Sequence, residues 1–244
     1  MIFPPTLAFL LFPAMLLLLV LGRRLRRSHK TASDSPAIDS AVFALFGLLL
    51  AFTFSGAATR FDAHRGLIIQ EANDIGTVYL RLDLLPSAAQ PALRQLFRDY
   101  TTSRLHLYDA VSPTISPETV RLQREIWQQS LAAATAPGAS PDAVKLLLPA
   151  INTMIDITST RQNSFNMHPP EVVFFLLFAL SLGCALLAGY NMSTTSPSWL
   201  HIIALALTIT LTIYATLEIE FPRQGLLRLK DADRTLIDLR SSMN

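Results

Sequence analysis

Apolar residues in this chain fall into four long runs, separated by stretches whose apolar positions recur at helical spacing. The first run is Phe3 to Gly22, followed at once by Arg23, Arg24, Arg26, Arg27 and Lys30. The second begins at Ala41, reads AVFALFGLLLAFTFSGAAT, and meets no Pro before Pro86. The third spans Glu171 to Tyr190 and the fourth Trp199 to about Leu217. Each is close to the roughly 20 residues that cross the hydrocarbon core at 1.5 Å per residue. Past Arg60 the second run keeps helical spacing but turns amphipathic, as one helix leaving the membrane without breaking. Between it and the third run the pattern predicts four helical segments, about 60–85, 88–110, 117–135 and 141–167. Their starts carry N-cap signals: a capping box at Ser87 to Gln90 with Pro91 behind it, and the Ser-Pro pairs at Ser116 and Ser140. Val144, Leu147, Leu148, Ile151, Met154, Ile155 and Thr158 mark one core-facing stripe. No alternating strand pattern competes, and a last amphipathic stretch runs from Leu226 to Leu239.

These elements predict an all-α membrane protein with four transmembrane helices and a helical bundle inserted between the second and third spans. The domains follow: 1–59, the first helix pair; 60–168, the extramembrane helical domain; 169–218, the second pair; 219–244, an amphipathic C-terminal tail. Composition agrees, with 51% hydrophobic and only 16% charged residues, where soluble domains carry about a quarter charged. A signal peptide has its positive charges before the apolar core; here they follow it, so the first run reads as an uncleaved span. Gly47, Ala51, Ser55 and Ala58 on the second span, and Ser181, Ala185, Ala188 and Gly189 on the third, form small-residue faces that let helices approach closely. The formal net charge of +2 and the absence of a basic stripe outside the membrane flanks exclude a nucleic-acid partner. The single cysteine, Cys184, rules out an intrachain disulfide. Five basic residues are packed directly behind the first span, against seven dispersed ones on the domain side. Because the first helix usually dominates, the count leans towards a domain on the outer face.

Candidate chemistry is sparse. Glu71, Asn73, Asp74 and Arg81 gather polar groups on the helix leaving the membrane. They read as an ion-facing ring or cation site, or, more plainly, as an interhelical ion-pair network. His201, Thr208 and Thr212 form a mildly polar stripe on the fourth span, which reads as a pathway lining or, more plainly, as packing glue. No span carries a charged residue in its middle, which weakens a transporter reading. No H-E-x-x-H, G-x-S-x-G or phosphate-binding glycine loop is present, and the histidines have no ligand-spaced partners. Neither an enzyme, a metal site nor a cofactor is expected.

The chain resembles a family of bacterial membrane proteins described as bestrophin-like. The residues that carry the resemblance are LLLAFTFSGAA at Leu48–Ala58, RFDAxR at Arg60–Arg65 and EANxIGTxYLRLDLLP at Glu71–Pro86. MHPP at Met167–Pro170 and the AGY and WLH elements of Ala188–His201 complete it. Phe43, Leu45, Gly47, Leu50 and Ala51, with Arg60, Phe61 and Arg65, also resemble the second span of the bestrophin channels. The resemblance implies a homo-oligomeric anion channel in a bacterial inner membrane, its second span lining the pore. Phe43, Leu50 and Phe54 would then form stacked apolar rings that gate by dewetting. It also implies a cytosolic soluble part, opposite to the lean of the charge count. The partners expected are the lipid bilayer, copies of the same chain and small anions. The alternative is a non-conducting membrane sensor or scaffold whose helical domain binds a ligand or partner.

Overall fold

The computed structural model describes residues 7–28, 36–106, 114–192, 199–222 and 230–243. Among these, every regular element is a helix: α1 (Leu7–Ser28), α2 (Pro36–Arg81), α3 (Gln90–His106), α4 (Pro117–Ala134), α5 (Ala143–Asn166), α6 (Glu171–Asn191), α7 (Trp199–Glu220) and α8 (Lys230–Ser242). A 3-10 turn, Leu82–Leu84, follows α2. Four helical stretches are long and apolar enough to cross a membrane. The chain divides into two compact units, Met1–Phe61 with His168–Arg228, and Asp62–Met167 with Leu229–Asn244. The helix α2 contributes to both, and the division falls between Phe61 and Asp62.

The first unit is built on α1, which packs against α6 and α7. Its core takes Ala8, Leu11, Met15 and Leu19 from α1, at steps of three or four residues. Phe174, Leu177, Cys184 and Ala185 come from α6, and Ile202, Ala206, Ile209, Ile213 and Leu217 from α7. In lipid, burial of apolar surface no longer drives helices together, so close backbone approach must do so. Two glycines allow it here. A Cβ on Gly189 would strike the Leu19 backbone, and one on Gly22 would strike the carbonyl of Leu186. The third-span small-residue face lies in this contact, with Ser181 and Ala185 fully buried. Arg26 stacks over the Tyr190 ring, 5.5 Å from its centroid, near one end of the pair. The connection 193–198 and the stretch 223–229 lie outside the described residues.

The second unit holds the extramembrane part of α2 with α3, α4, α5 and α8. The stripe predicted on α5 is present but turned slightly: Ala143, Leu147, Ile151, Met154, Ile157 and Thr158 are buried, while Val144 is exposed. Ser116 caps α4 as predicted, its Oγ accepting from the Thr119 N–H at 3.1 Å with Pro117 at the first helical position. The other two caps differ. Helix α3 starts at Gln90, so Ser87 lies in the preceding turn, and Gln90 Nε2 instead donates to the Leu85 carbonyl at 2.9 Å. Helix α5 starts at Ala143, because Ser140 is held in a turn whose N–H donates to the Leu84 carbonyl at 2.9 Å. Helix α8 packs on α3 and buries Leu236 and Met243.

The α1–α6 contact gives a direct test. Gly189→Ala is expected to cost about 1–3 kcal/mol, because backbone must move to admit the methyl group. Thermal unfolding in mild detergent should show a lowered midpoint. Gly183→Ala on the same helix, with open space around its Cβ position, should leave the midpoint unchanged or slightly raised.

Candidate functional site

Buried positions recur along α2 at steps of three, four or seven residues: Phe46, Thr53 and Ala57 in the first unit, then His64, Ile68, Glu71, Ile75 and Val78 in the second. The opposite line of the helix is exposed, with Ala44, Leu48, Ala51 and Ser55 followed by Asp62, Gly66, Asn73 and Thr77. It is a face of small and neutral residues, apart from Leu48 and one carboxylate at Asp62. No side chain reaches within 4 Å of the Cβ positions of Gly47 and Gly66. Of the three aromatic and aliphatic candidates, Phe43 and Leu50 are partly buried and lean on the membrane-unit core. Phe54 is 41% exposed. The three therefore do not share one free face of the protomer.

Glu71 has no exposed surface, and this removes it from any path ions could touch. Its Oε1 accepts from Nε of Arg104 on α3. Its Oε2 accepts from Nη2 of Arg104 at 3.3 Å and from Nη1 of Arg161 on α5. One carboxylate thus joins three helices of the unit. Asn73 is exposed. Asp74 is half-buried, and its Oδ2 is shut from solvent without a hydrogen-bond partner. Burial pushes its carboxyl above the usual carboxylate range. Arg81 pairs with neither acid: its Nη1 donates to the Leu146 carbonyl at 2.6 Å. That carbonyl lies one residue past the one that Pro149, lacking an N–H, deprives of its helical donor. The four polar candidates therefore sit in four different settings rather than in one site.

In the first unit a second buried carboxylate gathers a guanidinium and an imidazole. Glu220, at the end of α7, is 1% exposed at its side chain. Arg60 donates Nε to Oε1 at 3.1 Å and to Oε2 at 3.0 Å, and Nη2 to Oε2 at 2.7 Å. His168 Nδ1 lies 3.0 Å from its Oε1 and stacks against Phe221 at 4.6 Å between ring centroids. Bidentate guanidinium–carboxylate pairing of this kind is among the stronger charge-assisted contacts. Nearby on α7, Thr212 and Thr216 donate to their own helix carbonyls at 2.8 Å, so these hydroxyls are satisfied within the helix.

The partners of both carboxylates escaped motif reading, though a signal was present. Arg104 continues the buried series Leu93, Phe97, Tyr100 on α3, and Arg161 continues Leu147, Ile151, Met154, Thr158 on α5. Glu220 continues Ile209, Ile213, Leu217 on α7. A charge in register with an apolar stripe has to find a counter-charge, because burying it alone is costly.

With its span-length apolar helices and a separate unit of packed helices, the chain is a helical membrane protein. It belongs to the bestrophin-like family: the Bestrophin-like domain matches residues 8–233. In three dimensions it is similar to a bacterial bestrophin homologue from Klebsiella pneumoniae, with 13% identity and a TM-score of 0.74 over 96% of this chain and 98% of that one. A substituted form of that homologue gives 14% identity and 0.73 over 96% and 98%. A further crystal structure, described as a membrane protein, gives 13% and 0.75 over 96% and 99%. At these identities the likeness is one of fold. No curated protein matches the sequence.

Two substitutions probe the polar groups of α2. Glu71→Ala leaves two guanidiniums without their carboxylate and is expected to cost about 3–5 kcal/mol, seen as a large drop in the unfolding midpoint. Asp74→Asn acts in the opposite direction. A carboxyl whose folded pKa is raised costs stability once ionised, and that cost vanishes below the ordinary value of 3.8. The variant should therefore unfold at a higher temperature than the parent at neutral pH. The difference between the two should close as pH falls towards that value, when midpoints are compared across a pH series.

Proposed function

We propose that the chain assembles with copies of itself into an ion channel of a bacterial inner membrane, with α2 lining the pore and small anions as the permeating ions. The observation that carries this reading is the free face of α2. A span that belonged only to a membrane anchor would be expected to present bulky apolar side chains to lipid all around. Here one line of the helix offers Ala44, Ala51 and Ser55 within the span and Asp62, Gly66, Asn73 and Thr77 beyond it, all exposed. Small residues suit close contact with a neighbouring copy, and polar ones suit an aqueous path. The family and the fold likeness support the channel class, and the resemblance of the second span to bestrophins supports anions. Phe54, exposed beside the small-residue line, is the side chain best placed to form an apolar constriction.

Purified protein in planar bilayers tests the reading. The parent chain should pass current, and the reversal potential in a salt gradient should follow the anion. Phe54→Ala should raise the current several-fold by removing a dewetting barrier. A parent protein that conducts nothing across a range of pH and calcium would sink the proposal.

A further inference from the structure

One end of the membrane unit, where α1 and α6 stop and α2 and α7 start, is basic. Gly22 lies against the Leu186 carbonyl there, and Asn191 donates Nδ2 to Oδ2 of Asp39 at 2.6 Å, which ties the start of α2 to the end of α6. Arg23, Arg24, Arg26 and Arg27 fill the last turns of α1. From Arg23 to the first turn of α2 the sequence holds two acids, Asp34 and Asp39, and from Asn191 to Trp199 it holds none. Positive charge therefore remains at this end when both acids are fully paired within the chain. The exposed side of α1 that leads up to it is made of large apolar residues, Leu10 at 67%, Leu17 at 66% and Leu21 at 41% exposed. Leu10, Leu17 and Arg24 recur at steps of seven, close to two helical turns, so the leucine line runs straight into Arg24. Arg27 follows one turn later, and both arginines are exposed.

We propose that Arg24 and Arg27 bind the phosphate of an anionic phospholipid whose acyl chains lie along the leucine line of α1. Large aliphatic side chains exposed on a span suit lipid tails, and the arginines continue the same line where the apolar run ends, at headgroup depth. Trp199, 55% exposed, and Tyr190, whose ring lies 5.5 Å from the Arg26 guanidinium, stand at this same end. Tyr and Trp collect at the level of the headgroups. A guanidinium offers a phosphate two parallel N–H donors in a fixed fork. A zwitterionic headgroup brings its own ammonium beside the phosphate, so the positive balance here favours a headgroup of net negative charge. The site does not rest on the channel reading: it stands whether or not the chain conducts, and its readout is lipid retention rather than current.

The test is native mass spectrometry of the full chain released from a neutral detergent, after incubation with equal amounts of phosphatidylglycerol and phosphatidylcholine. The parent should retain phosphatidylglycerol in preference. Arg24→Gln combined with Arg27→Gln should cut that preference about tenfold or more, the loss expected for two basic residues facing anionic lipid. Lys145→Gln, at an exposed position on α5 in the other unit, should leave it unchanged. Equal retention of the two lipids by the parent, an unaltered preference in the double variant, or an equal loss in Lys145→Gln overturns the site. Displacement of the bound lipid by soluble glycerol phosphate also overturns it, because the ligand would then be a free phosphate. Bilayers give a reading that does not depend on how the variants fold. Trp199 should be quenched more by brominated phosphatidylglycerol diluted in phosphatidylcholine than by brominated phosphatidylcholine at the same fraction in phosphatidylglycerol. Trp127, in the other unit, adds a background common to both mixtures. Equal quenching in the two mixtures overturns the proposal.

Discussion

Everything else in this chain depends on α2 staying one helix for 46 residues. No proline stands between Ala37 and Leu85, so each amide within the helix keeps its carbonyl four residues back. In lipid that is a requirement, since nothing there can replace a lost backbone hydrogen bond. Beyond the lipid it has a second consequence. A continuous helix of 3.6 residues per turn carries its register forward. One face buries Phe46, Thr53 and Ala57 in the first unit, and within the second unit one face brings Ile68, Glu71, Ile75 and Val78 into the core.

This register explains what could be read from the sequence and what could not. Span positions, the unbroken second helix, the helical insertion and the Ser116 cap all follow from local pattern, because each is decided within a few residues. The two other caps did not, because long-range bonds decide them: the Ser140 N–H is drawn to Leu84, and Gln90 reaches back to Leu85. The polar groups on α2 could be found but not assigned. Spacing placed Glu71, Asp74 and Arg81 near one another along a helix, whereas their true partners come from α3 and α5. Only a comparison of stripes on different helices would have set Glu71 against Arg104 and Arg161, each in phase with its own apolar series. The aromatic candidates show the same limit. Phe43, Leu50 and Phe54 lie within a narrow arc of the helix, yet a small rotation sends two of them against the core and leaves the third exposed.

Charge is placed with economy. Within the described spans, the buried acidic groups of α7 sit at its last turn, where Glu220 meets Arg60 and His168, and Glu218 accepts from the Tyr214 hydroxyl at 2.5 Å. The Glu71 cluster, with its two arginines, is in the unit outside the membrane. Buried ion groups add little net stability compared with apolar packing but penalise any arrangement that separates them. Their value here is in orientation. Glu71 is satisfied only when α3 and α5 present their arginines to the same face of α2, and Glu220 only when α2 and the segment before α6 converge on the end of α7.

The small residues of α2 then acquire a physical reason. Glycine in a helix interior costs about 1 kcal/mol relative to alanine, and Gly47 offers nothing in return among the described residues, none of which comes within 4 Å of its Cβ position. On α1 and α6 the comparable glycines, Gly22 and Gly189, are explained by a backbone contact that a methyl group would block. The same explanation cannot apply to Gly47 within one protomer, because α1, α6 and α7 already satisfy one another. A cost without an internal return points to a contact made outside the protomer. The assembly proposed above would supply such a contact, through a second copy of the chain.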